Sequence, residues 1–115
     1  MTAIIYHNPR CTKSRQTLEL LRENGVEPIV IEYLKTPPSV ETLKNIIDVM
    51  GCEVRDILRK SESAYKENGL DDKSLSDYDI LAVVVDNPIL IERPIVTTEG
   101  KAAIGRPPEN ILAII

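Results

Sequence analysis

Apolar spacing switches along this chain between the two-residue period of a strand and the 3.6-residue period of a helix. TAIIYHN, residues 2–8, is short, partly β-branched and stopped by Pro9, which predicts a buried strand. KSRQTLELLREN follows with Leu18 and Leu21 on one helical face and Gly25 as a C-terminal stop. EPIVIEYL then reads as a second strand, so the chain opens β-loop-α-β, a unit that favours parallel strands joined by a right-handed crossover. Pro37 and Pro38 break that strand, and Ser39 is available to cap a helix whose Leu43, Ile46, Ile47 and Met50 recur at i, i+3, i+4 and i+7 before Gly51 ends it. EVRDILRK predicts a short helix, and SESAYKENGL another that ends at Asn68-Gly69. Ser76 with Asp79 three residues on resembles a capping box and starts a helix that must stop before Pro88.

The last third changes character. PILIERPIVTT, a turn at Glu99-Gly100 and KAAIG predict two strands in a tight hairpin. GRPPENILAII predicts a closing helix with Pro107 or Pro108 in its first turn, where a missing N–H costs least. The order β-α-β, several helices, β-β-α is that of a small mixed α/β sheet flanked by helices. Residues 1–115 are expected to form one domain, with the central helices inserted into a single α/β core; no repeat or low-complexity segment interrupts it.

Composition narrows the function. With 43% hydrophobic and 28% charged residues the chain is an ordinary globular sequence. No apolar run approaches the ~20 residues of a membrane span, and no basic segment leads into a long apolar one, so a cytoplasmic location is expected. A net charge of −4 argues against nucleic acid as the main partner. Without Trp or Phe, the core must rest on aliphatic residues and four Tyr. One histidine and two separated cysteines make no metal ligand set.

Against that acidic background, HNPRCTKSR gathers Arg10, Lys13 and Arg15 around Cys11, four residues after the sole histidine, His7. If the strand ends near Tyr6 and the helix begins near Thr12, Cys11 lies at a helix N-terminus, where open N–H groups and the helix dipole favour a thiolate. The same N–H groups can cradle an oxyanion, with Thr12 and Ser14 in the first turn as contacts. Cys11-Thr12-Lys13-Ser14 has the spacing of a C-x-x-C dithiol with serine as the second member, so any second thiol must come from elsewhere. The bland alternative is a cysteine that only packs; that reading is preferred for Cys52, which follows Gly51 without a basic setting. His7 could tune the thiolate or pack beneath the loop. Arg93 before Pro94, Arg106 between Gly105 and two prolines, and Arg59 at the end of a short helix are each ordinary surface residues taken singly. Together, Arg93 and Arg106 in stiff proline turns look placed to grip a tetrahedral oxyanion with guanidinium forks, and the Arg93–Pro94 bond is a candidate for the cis form.

The motifs HNPRCTKSRQTL, YLKTPPS, ILRK, NPILIERPIV and GRPPE, in that order from Tyr6 to Leu112, resemble the glutaredoxin-coupled arsenate reductase family. The resemblance implies a thioredoxin-like fold with a helical insertion and a catalytic cysteine at Cys11. It also implies three active-site arginines at Arg59, Arg93 and Arg106, a histidine near the thiol at His7 and a cis-proline at Pro94. By the same resemblance, arsenate is the substrate, phosphate a competitor, glutathione the reductant and glutaredoxin the partner that regenerates the enzyme. The best-known members carry Ala-Cys-Gly-Thr-Ser where this chain has Arg10-Cys11-Thr12-Lys13-Ser14, so a side chain and two charges are added beside the thiol. Two other function classes fit the same fold: a non-catalytic regulatory binding protein, and a glutathione-linked reductase of protein mixed disulfides.

Overall fold

In a computed structural model describing residues 2–115, the chain divides into two compact units, Met1–Thr36 with Arg93–Ile115 and Pro37–Glu92. The first contains the whole sheet: β1 (Ala3–His7), β2 (Ile29–Glu32), β3 (Ile95–Thr98) and β4 (Lys101–Ile104), in the order β2-β1-β3-β4. β1 runs parallel to β2 and antiparallel to β3, and β3 is antiparallel to β4. Helix α1 (Thr12–Glu23) makes the crossover from β1 to β2, and a 3₁₀ helix at Pro108–Ala113 packs against α1. Alternation along β1 sends Ala3, Ile5 and His7 to one face. There Ile5 and its cross-strand partner Val96 join Leu21 of α1 and Ile111 of the 3₁₀ helix in a fully buried cluster. This β-α-β then β-β-helix order, interrupted by helices, is the thioredoxin-like arrangement expected from the sequence.

The second unit is the helical insertion, compact in its own right. α2 (Val40–Met50) and α4 (Asp77–Asp86) pack on one another through buried Leu43, Ile46 and Ile47 on one side and Ile80, Leu81 and Val84 on the other. Ser39 caps α2 by accepting from the Thr42 N–H, and Ser76 with Asp79 forms the reciprocal box foreseen at the start of α4. The short α3 (Ser63–Glu67) ends at Asn68, before Gly69.

Four elements depart from expectation. EVRDILRK forms only a 3₁₀ turn at Val54–Ile57, because Leu58 is extended and bridges Ile91. PILIERPIVTT is not strand throughout: Pro88–Leu90 is a 3₁₀ turn, and β3 begins only after Pro94. β2 keeps four of the residues in EPIVIEYL before turning at Tyr33. The closing helix is 3₁₀, closed by i→i+3 bonds such as Asn110 N–H to the Pro107 carbonyl, and it buries Pro108 and Ile111, spaced by three.

Candidate active site

Cys11 is the N-cap of α1, with an extended backbone (φ −94°, ψ 123°); its carbonyl accepts from the Arg15 N–H at 3.0 Å and its N–H donates to the Asn8 carbonyl at 3.0 Å. The strand-loop-helix geometry that the sequence implied is therefore present. The sulfur sits over the open N–H groups of Ser14 and Lys13 without a closed capping bond. Burial is the largest influence on the thiol and pushes it up. The Ser14 N–H, the Arg93 guanidinium and the Lys13 N–H together outweigh that, so Cys11 ionises below the usual thiol range.

Two of the three anticipated arginines meet Cys11 within the first unit. Arg106 directs Nη1 at the sulfur at 3.9 Å and donates from the same nitrogen to the Arg93 carbonyl at 3.2 Å. Arg93 approaches the thiol, and its Nε and Nη1 are buried with no hydrogen-bond partner. Buried guanidinium donors without partners are costly, and a bidentate oxyanion is what would satisfy them. The Arg93–Pro94 and Arg106–Pro107 peptide bonds are both cis, the second unforeseen. Arg59 belongs to the second unit, where Glu62 and Glu92 form ion pairs with its guanidinium and its N–H donates to the Leu90 carbonyl at 2.7 Å.

The remaining candidates divide by depth. Ser14 is fully buried: its hydroxyl accepts from the Asn8 N–H at 3.0 Å and lies 2.7 Å from His7 Nδ1. Its side chain thus faces the sheet, and its contribution at the thiol is the backbone N–H. The Ser14 hydroxyl thus joins the Asn8 backbone to the His7 ring. Burial, followed by Arg15 and Arg22, holds His7 below its ordinary pKa against the pull of Glu32. Thr12 is exposed, and its hydroxyl accepts from Arg15 Nη2 at 3.2 Å while Arg15 Nη1 binds the Pro9 carbonyl at 2.8 Å. Cys52, in the second unit, is raised by burial first and then by the carboxylates of Asp56 and Glu53. Among the described residues, no group of three or more His, Cys, Asp or Glu is gathered as a metal would need.

Two supporting residues escaped the sequence. Thr17 is fully buried, donates to the Lys13 carbonyl at 2.8 Å and lies 3.4 Å from the Gly105 carbonyl. Gly105 N–H donates to the Pro94 carbonyl at 2.8 Å, and a Cβ there would fall 2.5 Å from Thr17 Oγ1 and 3.0 Å from Pro94 Cγ. This close stack fixes the loops of Arg93 and Arg106 against α1. The available signal was a polar residue at the i+3 position of a face that continues to Leu21.

A family model described as the ArsC family matches residues 6–114. Over 112 residues the chain is 54% identical to the uncharacterized protein YfgD of Escherichia coli (strain K12), covering 96% of this chain and 94% of that protein. It is 47% identical to an arsenate reductase of Neisseria meningitidis serogroup B (strain ATCC BAA-335 / MC58), covering 96% of each. Among solved structures, an arsenate reductase from Vibrio cholerae is similar with a TM-score of 0.97 at 51% identity, covering 100% of this chain and 98% of that one.

Proposed function

The chain belongs to the ArsC family, and we propose that it is an arsenate reductase whose nucleophile is Cys11. The observation that carries this reading is the pair of buried, unpartnered Arg93 donors beside a thiol held below its ordinary pKa. Arsenate binds to Arg93 and Arg106 and to the N–H groups at the start of α1, and the Cys11 thiolate attacks arsenic with loss of water. The cations matter because an anionic nucleophile and an anionic substrate otherwise repel in a partly dry site. Arg59 is proposed as a third arginine on the family resemblance alone; within its own unit its guanidinium is held by Glu62 and Glu92. Thr12 lies at the rim and Ser14 contributes its N–H, while His7 and Pro94 support the loop geometry.

Glutathione supplies the second thiol that Ser14 cannot. In sum, one Cys11 thiol, one glutathione thiol and arsenic acid give arsenous acid, water and a Cys11–glutathione disulfide; the two sulfurs lose two electrons and arsenic gains them. Glutaredoxin then resolves the disulfide, residues 1–115 act as one catalytic domain, and the cytoplasm supplies the reducing environment. Among the described residues no helix is long and apolar enough to cross a membrane. A reductase acting only on protein mixed disulfides has no use for unpartnered guanidinium donors at its thiol, which favours the arsenate reading. Phosphate, of like shape and charge, should compete.

The test is arsenate-dependent turnover with glutathione and glutaredoxin. Cys11→Ser should lose on the order of a thousandfold or more in rate. Retained turnover in that variant overturns the reading.

A further inference from the structure

A cleft of about 230 Å3 opens on the loop that leads into Cys11, and none of the chemistry above uses it. Its walls are the end of β1 with the following loop, His7, Asn8 and Arg10, and the end of β2 with its turn, Glu32, Leu34 and Lys35. All six belong to the first unit. Arg10 is exposed, and its position is fixed from below by its N–H, which donates to Asn8 Oδ1 at 3.0 Å. Lys35 lies 3.6 Å from the Glu32 carboxylate. Leu34 turns an apolar side chain outward at 43% exposure. Asn8 forms the bridge to the nucleophile, because its carbonyl accepts the Cys11 N–H.

We infer that this cleft binds the small peptide thiol that reduces the Cys11 adduct: a zwitterion with two carboxylates and one ammonium, as glutathione is. The inference rests on the reading of Cys11 as a nucleophile that needs an outside thiol. Two cations and one carboxylate around an apolar wall complement that charge pattern. Arg10 and Lys35 take the two carboxylates, Glu32 takes the ammonium in exchange for part of its Lys35 contact, and Leu34 covers the aliphatic stem. Glu32 also sorts the two substrates. Its negative charge disfavours a small dianion here, so arsenate is left to Arg93 and Arg106 while the zwitterion is accepted. An extended tripeptide spans roughly 10 Å, ample to carry a thiol from Arg10 across the adjoining residue to Cys11. Arg10 thereby acquires a role that alanine, at this position in the best-known relatives, cannot fill.

The test uses full-length Cys11→Ser protein titrated with S-methylglutathione, which can form no disulfide and needs no arsenate. Amide resonances of Asn8, Arg10, Glu32 and Lys35 should move, and Arg10→Glu with Lys35→Glu should weaken binding about tenfold or more. In the enzyme with Cys11 intact, the same pair should raise KM for glutathione and leave KM for arsenate unchanged. Both side chains are exposed, so a dispersed spectrum of the double variant confirms that it folds. Shifts confined to other residues, unchanged affinity in the double variant, or a change in KM for arsenate alone each overturn the cleft. A protein that binds the probe in this cleft but never turns over arsenate keeps the cleft and removes the arsenate reading. Turnover without binding here does the reverse.

Discussion

Cys11 and Cys52 stand at opposite ends of helices, and the difference shows how position decides the chemistry of a thiol. Cys11 precedes α1, where open N–H groups and Arg93 face the sulfur, and its pKa falls. Cys52 follows the left-handed Gly51 (φ 68°) at the C-terminus of α2, with its N–H bonded to the Ile47 carbonyl at 3.3 Å. There burial first, and then the carboxylates of Asp56 and Glu53, push its pKa up. Neither thiol is bonded to another sulfur. Burial raises both; only Cys11 has donors that overcome it. What lowers the Cys11 thiol is its own helix start, through the Ser14 and Lys13 N–H groups, together with a donor from outside that helix, Arg93.

The sharpest way to break that contrast is to remove the outside donor. Arg93→Lys keeps the charge but loses the fork, and should weaken oxyanion binding about ten- to a hundredfold, the equivalent of one or two charge-assisted hydrogen bonds. Titrating phosphate into the variant and the parent by calorimetry measures it. Equal affinity would remove Arg93 from the grip. Cys52 reactivity should not change in the same variant.

A smaller effect follows from disturbing the frame rather than the donor. Gly105→Ala places a methyl against Thr17 and Pro94, so α1 or the Arg106 loop must shift. A destabilisation of about 1–3 kcal/mol is expected, seen as a lower midpoint in denaturant unfolding, with slower alkylation of Cys11 at neutral pH. A variant as stable as the parent would mean that the stack at Gly105 yields freely.

The sequence revealed elements wherever one local signal sufficed. The β1-α1-β2 unit followed from a switch in apolar period, and α4 from Ser76 and Asp79. Cys11 could be placed at a helix start because Pro9 and the first helical turn bracket it. What stayed hidden depends on pairs distant in sequence. Ser14 read as a first-turn contact for an oxyanion, yet its hydroxyl is taken by His7 and Asn8. Thr17 reads as polar filler on α1 until Gly105, 88 residues on, comes within reach of its hydroxyl. Arg59 was legible as a cation, and Glu62 three residues later was an available clue to its pairing; Glu92 was not. The Leu58–Ile91 bridge was hidden for the same reason: it ends the predicted helix of EVRDILRK early, and it is all the pairing that Ile91 of the predicted strand PILIERPIVTT makes. Hydrophobic periodicity reports which face is buried, and it is silent on polar groups buried by their partners.

The finest probe of the two thiols is a displacement along the pH axis. Alkylation by iodoacetamide follows the thiolate, so each cysteine reports its own ionisation when the other is replaced by alanine. The donors that lower Cys11 favour its charged form, so its rate should reach half-maximum below the pH found for an unstructured cysteine peptide. Cys52, whose charged form is opposed by burial and two carboxylates, should reach half-maximum above that pH. The sign carries over to folding. With Cys11 ionising more readily folded than unfolded, its contribution to stability is present above the unfolded thiol's pKa and is lost as pH falls through the folded value. Cys52 works oppositely: its contribution is present below the unfolded pKa and is lost as pH rises through the folded one. Added salt should draw both curves toward the peptide, Cys52 further, because its nearby carboxylates Asp56 and Glu53 lie in exposed positions. If the two cysteines titrate together, the opposed helix ends do not separate their chemistry.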